Sequence, residues 1–200
     1  MATTEFFGDP KTLEAICKQA IPELRTRRFI KIWDAGCATE QEPFSLAIQI
    51  REIVGHMYFR NIKIHATDID VSNLDEEAIY NLSYPRLQMA HISNDVFEKH
   101  FEPGEKDGTF AVSEEIKDIV TFEKHDLLSL KPIEQNFALI LCKNVLPAFK
   151  DDARYNIIKM FYDSLVEQGF LVLGKTQKLP KDFTRLFDVI SQDENIFRKK

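Results

Sequence analysis

Apolar and polar positions along this chain switch repeatedly between a period near 3.6 and short, nearly continuous apolar runs. From Pro10 to Leu24 the apolar residues Leu13, Ile16, Cys17 and Ala20 share one helical face, Asp9 is placed to cap the segment and Pro10 suits its first turn. Phe29-Ile30-Lys31-Ile32-Trp33 reads as a core strand that stops at Asp34-Ala35-Gly36. Pro43 opens a second helix whose stripe is Leu46, Ile50, Ile53 and Val54, ending near Gly55. Ile62 to Thr67 gives a second strand running into Asp68-Ile69-Asp70, and a third helix is expected over 71–82.

The alternation breaks from about 83 to 120. Pro103-Gly104 and Asp107-Gly108 are turn signals, Thr109 to Val112 has strand character, and a short helix fits Asn94 to His100. A stretch of that length is too long for a plain connection, so it predicts a small antiparallel excursion with structure of its own. The main pattern resumes with Ile119 to Glu123 and then with Phe137-Ala138-Leu139-Ile140-Leu141-Cys142, apolar on both faces as a central parallel strand should be. Asp151 to Gln168 reads as a helix stopped by Gly169, Phe170 to Leu173 as another buried strand, and Phe187 to Ile190 with Asn195 to Arg198 as a closing antiparallel hairpin. Strands alternating with helices predict an α/β fold with a mostly parallel sheet covered on both faces. The 200 residues fit one domain carrying the inserted β-subdomain around 83–120.

Composition narrows the class of function. With 44% hydrophobic and 29% charged residues the chain has a core and is neither disordered nor a disulfide scaffold. Three scattered cysteines without a CxxC pair read as reduced thiols rather than a metal site, and no secretory signal or membrane-spanning run is visible, so a cytoplasmic location without membrane insertion is expected. A net charge of -6 argues against nucleic acid as a partner.

In open α/β sheets ligands bind beyond the carboxyl ends of the strands, where the strand order reverses. That edge collects Asp34, Gly36, Asp68, Asp126 and Asn144. Some of these acids are expected to be helix caps, but together they suit a ligand with hydroxyl, amino or cationic groups. Asp68, at the tip of the second strand, is placed to accept both hydroxyls of a ribose. The turn Asp34-Ala35-Gly36-Cys37 is not GxGxxG, so a dinucleotide's phosphates are poorly served and an adenosyl ligand without phosphates fits better. Glu42, at a helix start, is equally a dipole-stabilised cap and a contact to the ligand.

Four blocks carry a family resemblance. Thr4 to Asp9 (TEFFGD) is similar to T-x-F-F-R-D, and Asp34 to Ala47 (DAGCATEQEPFSLA) resembles S-A-G-C-S-T-G-E-E-P-Y-S-L-A. Ala66 to Asp70 (ATDID) matches outright, and Leu141 to Phe149 (LCKNVLPAF) resembles F-C-R-N-V-L-I-Y-F. These are blocks of the CheR-type chemotaxis receptor methyltransferases, which methylate receptor glutamates with S-adenosylmethionine. The resemblance implies a Rossmann-like class I methyltransferase fold, with S-adenosylhomocysteine as product and a chemoreceptor or other signalling protein as partner. It implies that Thr4 lies against the cofactor, that Gly36, Glu42 and Asp68 line its pocket with Asp68 on the ribose, and that Asp126 lies near the adenine. Asn144 and Val145 close the pocket beside the methyl group, Asn144 as the catalytic residue, and the β-subdomain resembles one that some members use to dock on a receptor tail.

The departures bear on mechanism. Gly8 stands where the family has arginine, Ala148 where it has tyrosine, and the family's N-terminal helical domain has no counterpart ahead of Thr4. A carboxylate acceptor is already ionised near neutral pH and needs no general base, so alignment and desolvation are what the protein must supply. Without the arginine, Lys143 or Lys175 would have to hold the acceptor; otherwise the chain is a degenerate relative that binds cofactor or partner in a regulatory role.

Overall fold

The computed structural model describes residues 5–70 and 82–200. The expected helix over 71–82 and Thr4 therefore fall almost wholly outside the described residues. The N-terminal helical segment runs as α1 (Pro10–Ala15), a wider π-helical stretch (Ile16–Ala20) and α2 (Ile21–Leu24). Pro22, with no N–H to donate, sits just past the widened stretch. β1 (Ile30–Ala35) leads to α3 (Gln41–Val54) and the short α4 (His56–Phe59), and β2 (Ile62–Asp68) follows. Helix α3 starts two residues ahead of Pro43, with Glu40 as its cap residue, which places Glu42 inside the first turn.

The small sheet comprises β3 (Tyr84–Pro85), β4 (Phe101–Pro103) and β5 (Thr109–Val112), antiparallel in the order β3-β5-β4, with α5 (Asn94–His100) leading into β4. Helix α6 (Glu114–Lys117) returns the chain to the main sheet through β6 (Val120–Lys124). Then come β7 (Phe137–Cys142), α7 (Asp151–Ser164), β8 (Leu165–Leu173), β9 (Phe187–Ser191) and β10 (Ile196–Lys199). The main sheet has the order β6-β2-β1-β7-β8-β10-β9, parallel except for β10, which runs antiparallel to both β8 and β9. This is a Rossmann-like arrangement with an antiparallel closing hairpin and a small antiparallel insertion, as the sequence pattern predicts.

One helix end differs from the pattern. Helix α7 stops at Ser164 rather than Gln168, because Leu165 is already extended and pairs with Phe137 at the foot of β7. The residues after Leu165 form an irregularity, with Gln168 at φ +60°, before regular pairing resumes at Leu139–Phe170. The helical spacing of the segment continues past the point where sheet pairing takes over.

Side-chain parity sorts the core into two layers. Ile30 and Ile32 of β1 and Leu139 and Leu141 of β7 face the layer under α1–α3, joined there by the small sheet through Tyr84 and Phe101. Trp33, Ala35, Phe137 and Ile140 face the opposite layer under α7. Sheet order reverses between β1 and β7, where strand-end side chains of the first layer emerge.

Candidate functional site

Register alone brings the edge residues together. Asp34 of β1 lies opposite Ala66 of β2 and Leu141 of β7. Asp68 and Lys143 are each two positions beyond those partners, so all three side chains project on the face that carries α1 and α3. The first turn of α3 adds Glu42 to the same corner.

The loop after β1 is held by its backbone. Gly36 and Cys37 both donate to the Thr67 carbonyl oxygen, at 2.7 and 3.0 Å. Gly36 has φ +85°, and a Cβ there would come within 2.3 Å of Val145 Cγ2. The position therefore excludes other residues twice over, and its closeness to Val145 brings the loops after β1 and β7 into contact. Asp68 fixes the far side, accepting from the Ala38 N–H at 3.0 Å and the Asp70 N–H at 3.1 Å. Asn144 has φ +60°, a conformation that asparagine tolerates better than most residues, and packs against Gly174.

Near the α3 end the charges are buried and joined. Lys143, 8% exposed, donates to Glu42 at 2.8 Å and lies 3.8 Å from Asp9. Asp9 also pairs with Lys175 at 3.3 Å, and Lys175 reaches Glu194 at 3.2 Å. Burial alone would lower the Lys143 pKa, but Glu42, Asp34 and Asp9 outweigh it and the net shift is upward. Asp34 is 1% exposed and neither carboxylate oxygen has a hydrogen-bond partner. Burial first, then the neighbouring Glu42, pushes its pKa well above the usual carboxylate range, with Lys143 only partly opposing. The buried Cys37 thiol is raised in the same way, by burial and then by Asp34, Asp68 and Glu42.

A cavity of about 280 Å³ opens beside this group, lined by Phe7, Gly8, Asp9, Glu42, Lys143 and Asn144 among others. Its wall on the N-terminal side is pinned by the Phe7 N–H donating to Ser45 Oγ at 2.9 Å and by Phe6 packed edge-on against Tyr84 at 4.9 Å. Glu40 and Gln41, which stand where the family has glycine and glutamate, are engaged elsewhere: Glu40 is buried and accepts from the Tyr84 hydroxyl at 2.6 Å, and Gln41 accepts from Thr39. Asp126 is exposed and accepts from the Leu128 N–H at 2.8 Å, capping the short turn Leu127–Ser129. Exposed apolar side chains flank this outer end, Ile69 after Asp68 and Leu128 after Asp126. Sequence reasoning passed over both, and over the Asp9–Lys143 contact; for Ile69, an apolar residue directly after a strand-end acid was the available signal, and for the ion pair, between residues far apart in the chain, there was none.

Asp34, Gly36, Glu42, Asp68, Asn144 and Val145 thus share the edge, with Asp126 farther out at the end of β6. The donor set fits an adenosyl amino acid: carboxylates for ribose hydroxyls and a cationic end, a glycine at close approach, and no phosphate loop. Among the described residues no cluster of His, Cys, Asp and Glu is suited to a metal ion.

Comparison with known proteins agrees. Residues 2–196 match the family described as CheR methyltransferase, SAM binding domain. A Pseudomonas putida relative named as a methyltransferase, Cher3, is 32% identical over 98% of this chain and 72% of its own length. The chemotaxis protein methyltransferase of Listeria monocytogenes is 30% identical over 90% of this chain and 67% of its own. Among solved structures, the N-methyltransferase NodS of Bradyrhizobium japonicum, in complex with S-adenosyl-L-homocysteine, covers 98% of this chain and 88% of its own at TM-score 0.49 and 14% identity.

Proposed function

This chain belongs to the CheR methyltransferase family through its SAM-binding domain, and on that premise we propose that it transfers a methyl group from S-adenosylmethionine to a glutamate carboxylate of a chemoreceptor or similar signalling protein. The observation that carries this reading is the convergence of Asp68, Gly36, Glu42, Asn144 and Val145 on one strand edge, at the reversal of sheet order. Bound there, S-adenosylmethionine supplies an electrophilic methyl carbon on a sulfonium.

The residues divide the work. Asp68, with its carboxylate already oriented by two backbone N–H groups, takes the ribose hydroxyls. Glu42 faces the cavity and receives the ammonium of the amino-acid end, while Gly36 lets the loop close against Val145 and is assigned to the cofactor pocket by its motif. Asn144 and Val145 border the reacting methyl and align the acceptor, and Asp126 stands at the adenine end. Thr4 is assigned to the cofactor side by its motif. The acceptor needs a cation, and Gly8 offers none. Lys175, half-exposed on the rim beside Asp9, is better placed than Lys143, which is buried on Glu42.

A second reading has its own observation. Both candidate cations are already engaged by this chain's carboxylates, so the acceptor would have to compete with Asp9 and Glu194 for Lys175. A module that keeps cofactor binding and regulates a partner without methylating it fits that arrangement. Calorimetry with S-adenosylhomocysteine on wild type and Asp68→Ala tests the pocket, and absence of binding heat rejects it. Radiolabel transfer to a receptor fragment then separates the readings: label on the fragment means the enzyme, and label retained on the cofactor means the regulatory module.

A further inference from the structure

The buried acid Asp34 has no role in the proposed chemistry, yet its position is demanding. It neighbours Glu42, which lines the cavity, and sits near the end of the central strand β1. Ionised, it would hold a charge out of water with both oxygens unpartnered. The groups around it come from every neighbouring element: Glu42 from α3, Asp68 from β2, Lys143 and the Cys142 thiol from the end of β7, and the Cys37 thiol from the loop. Only Lys143 is a cation. Its ammonium is committed to Glu42 at 2.8 Å, with Asp9 at 3.8 Å. Asp34, Glu42 and Asp9 thus surround the buried Lys143 ammonium, and although Asp9 also has Lys175 at 3.3 Å, one negative charge is left over, relieved most simply by one bound proton.

We propose that Asp34 holds one proton, directed toward Glu42, in the ligand-free protein and releases it when the ammonium of a cofactor's amino-acid end enters the adjoining cavity, which makes Asp34 a positioning residue for cofactor recognition. The inference rests on the cofactor reading above. With the proton in place, Asp34 donates to Glu42 and its otherwise unpartnered hydroxyl oxygen is satisfied. An incoming ammonium takes over the neutralising role of that proton. The balance is simple: protonated protein plus cofactor gives complex plus one proton to solvent, with no covalent bond of the cofactor changed. The consequence is cofactor affinity that rises with pH, by up to about tenfold per unit while Asp34 remains protonated.

Two measurements test this. Infrared difference spectra of the ligand-free protein at neutral pH, wild type minus Asp34→Asn, read the carbonyl stretch of a protonated carboxylic acid. Calorimetric titration with S-adenosylhomocysteine, whose amino end is the same, in buffers of different ionisation enthalpy reads the protons exchanged on binding. The expected result is a protonated-acid band lost in Asp34→Asn and release of about half to one proton in wild type. Asp34→Asn and Asp34→Ser should both bind without proton release, with affinity independent of pH; the serine variant guards against a fold fault peculiar to asparagine. Absence of the band overturns the proton on Asp34. Binding without proton exchange in wild type, or release that survives in both variants, overturns the coupling to cofactor. A band with no binding heat at any pH identifies the failure as that of the cofactor reading, and the coupling falls with it.

Discussion

The strand edge carries two acids, two register positions apart on adjacent strands, whose surroundings are opposite. Asp34 and Asp68 end adjacent parallel strands and project on the same face. Asp68 is half-buried and both its oxygens accept from backbone N–H groups, so it is oriented before any ligand arrives. Asp34 is fully buried, has no partner for either oxygen, and faces Glu42. The difference teaches that position at a strand tip brings an acid to the site, while the neighbouring loop decides what it does there. Where the loop turns its N–H groups inward, as at Ala38, the acid is a ready acceptor. Where the neighbour is a second acid, the outcome depends on protons and on the nearest cation.

The comparison breaks most severely at that cation. Lys143→Met leaves Glu42, Asp34 and Asp9 facing one another, and removing one partner of a buried ion pair typically costs about 3–5 kcal/mol. Thermal unfolding at pH 7 should show a fall of roughly 6–20 °C for a chain of this size. The deficit should shrink toward pH 4, where protonation relieves the carboxylates. An equal deficit at both pH values would show that Lys143 contributes packing rather than charge.

Next in size is Asp68→Ala, which acts on binding. Two charge-assisted hydrogen bonds to a ribose are worth about 2–4 kcal/mol together, so affinity for S-adenosylhomocysteine should weaken by roughly 30-fold to 1,000-fold. Asp68→Asn keeps the shape and should recover part of that loss. A change below threefold in the alanine variant would remove Asp68 from the proposed ribose contact.

How much of this was readable beforehand follows from the physics of each feature. The strand-end acids, the Gly36 turn and the order of helices and strands were legible because each rests on local pattern: apolar runs, a glycine after a strand, turn dipeptides. The end of α7 was not, because Leu165 is claimed by pairing with Phe137, a partner 28 positions earlier in the chain. Glu42 was left between cap and ligand contact, and what moved it was Lys143, which reaches it from another strand. The state of Asp34 depends likewise on burial under α1 and α3 and on which neighbour carries the proton, neither of which has a local signature. Asp126 shows the opposite case: the turn after it is its own local sequence, and the cap that any such acid offers is what forms.

Smaller is the gain expected from Asp34→Asn in the ligand-free protein. A raised carboxyl pKa means that the folded state holds its proton more tightly than the unfolded chain. The stability it contributes is therefore complete below its ordinary value of 3.8 and is lost as pH rises through the raised value. Asparagine removes that loss. The variant should unfold about 2–8 °C above wild type at pH 8, corresponding to about 1–2 kcal/mol, and close to it at pH 4. A variant less stable than wild type at pH 8 would mean that Asp34 is ionised and paired, contrary to its geometry.

The smallest effect sharpens the other half of the comparison. Asp126 caps a turn of three residues on the surface, a contact worth about 0.5–1 kcal/mol to a helix and no more here. Asp126→Ala should lower the unfolding midpoint by about 1–4 °C. If the outer end of the site is organised by Asp68, with Ile69 and Leu128 supplying apolar surface, cofactor affinity should change by less than about threefold, because a solvent-exposed acid that already serves its own backbone has little to add to a neutral adenine. A loss of tenfold or more in the same calorimetric assay would place recognition in the Asp126 side chain itself. It would also mean that the edge holds two preformed acceptors, with Asp34 as the single exception among its acids.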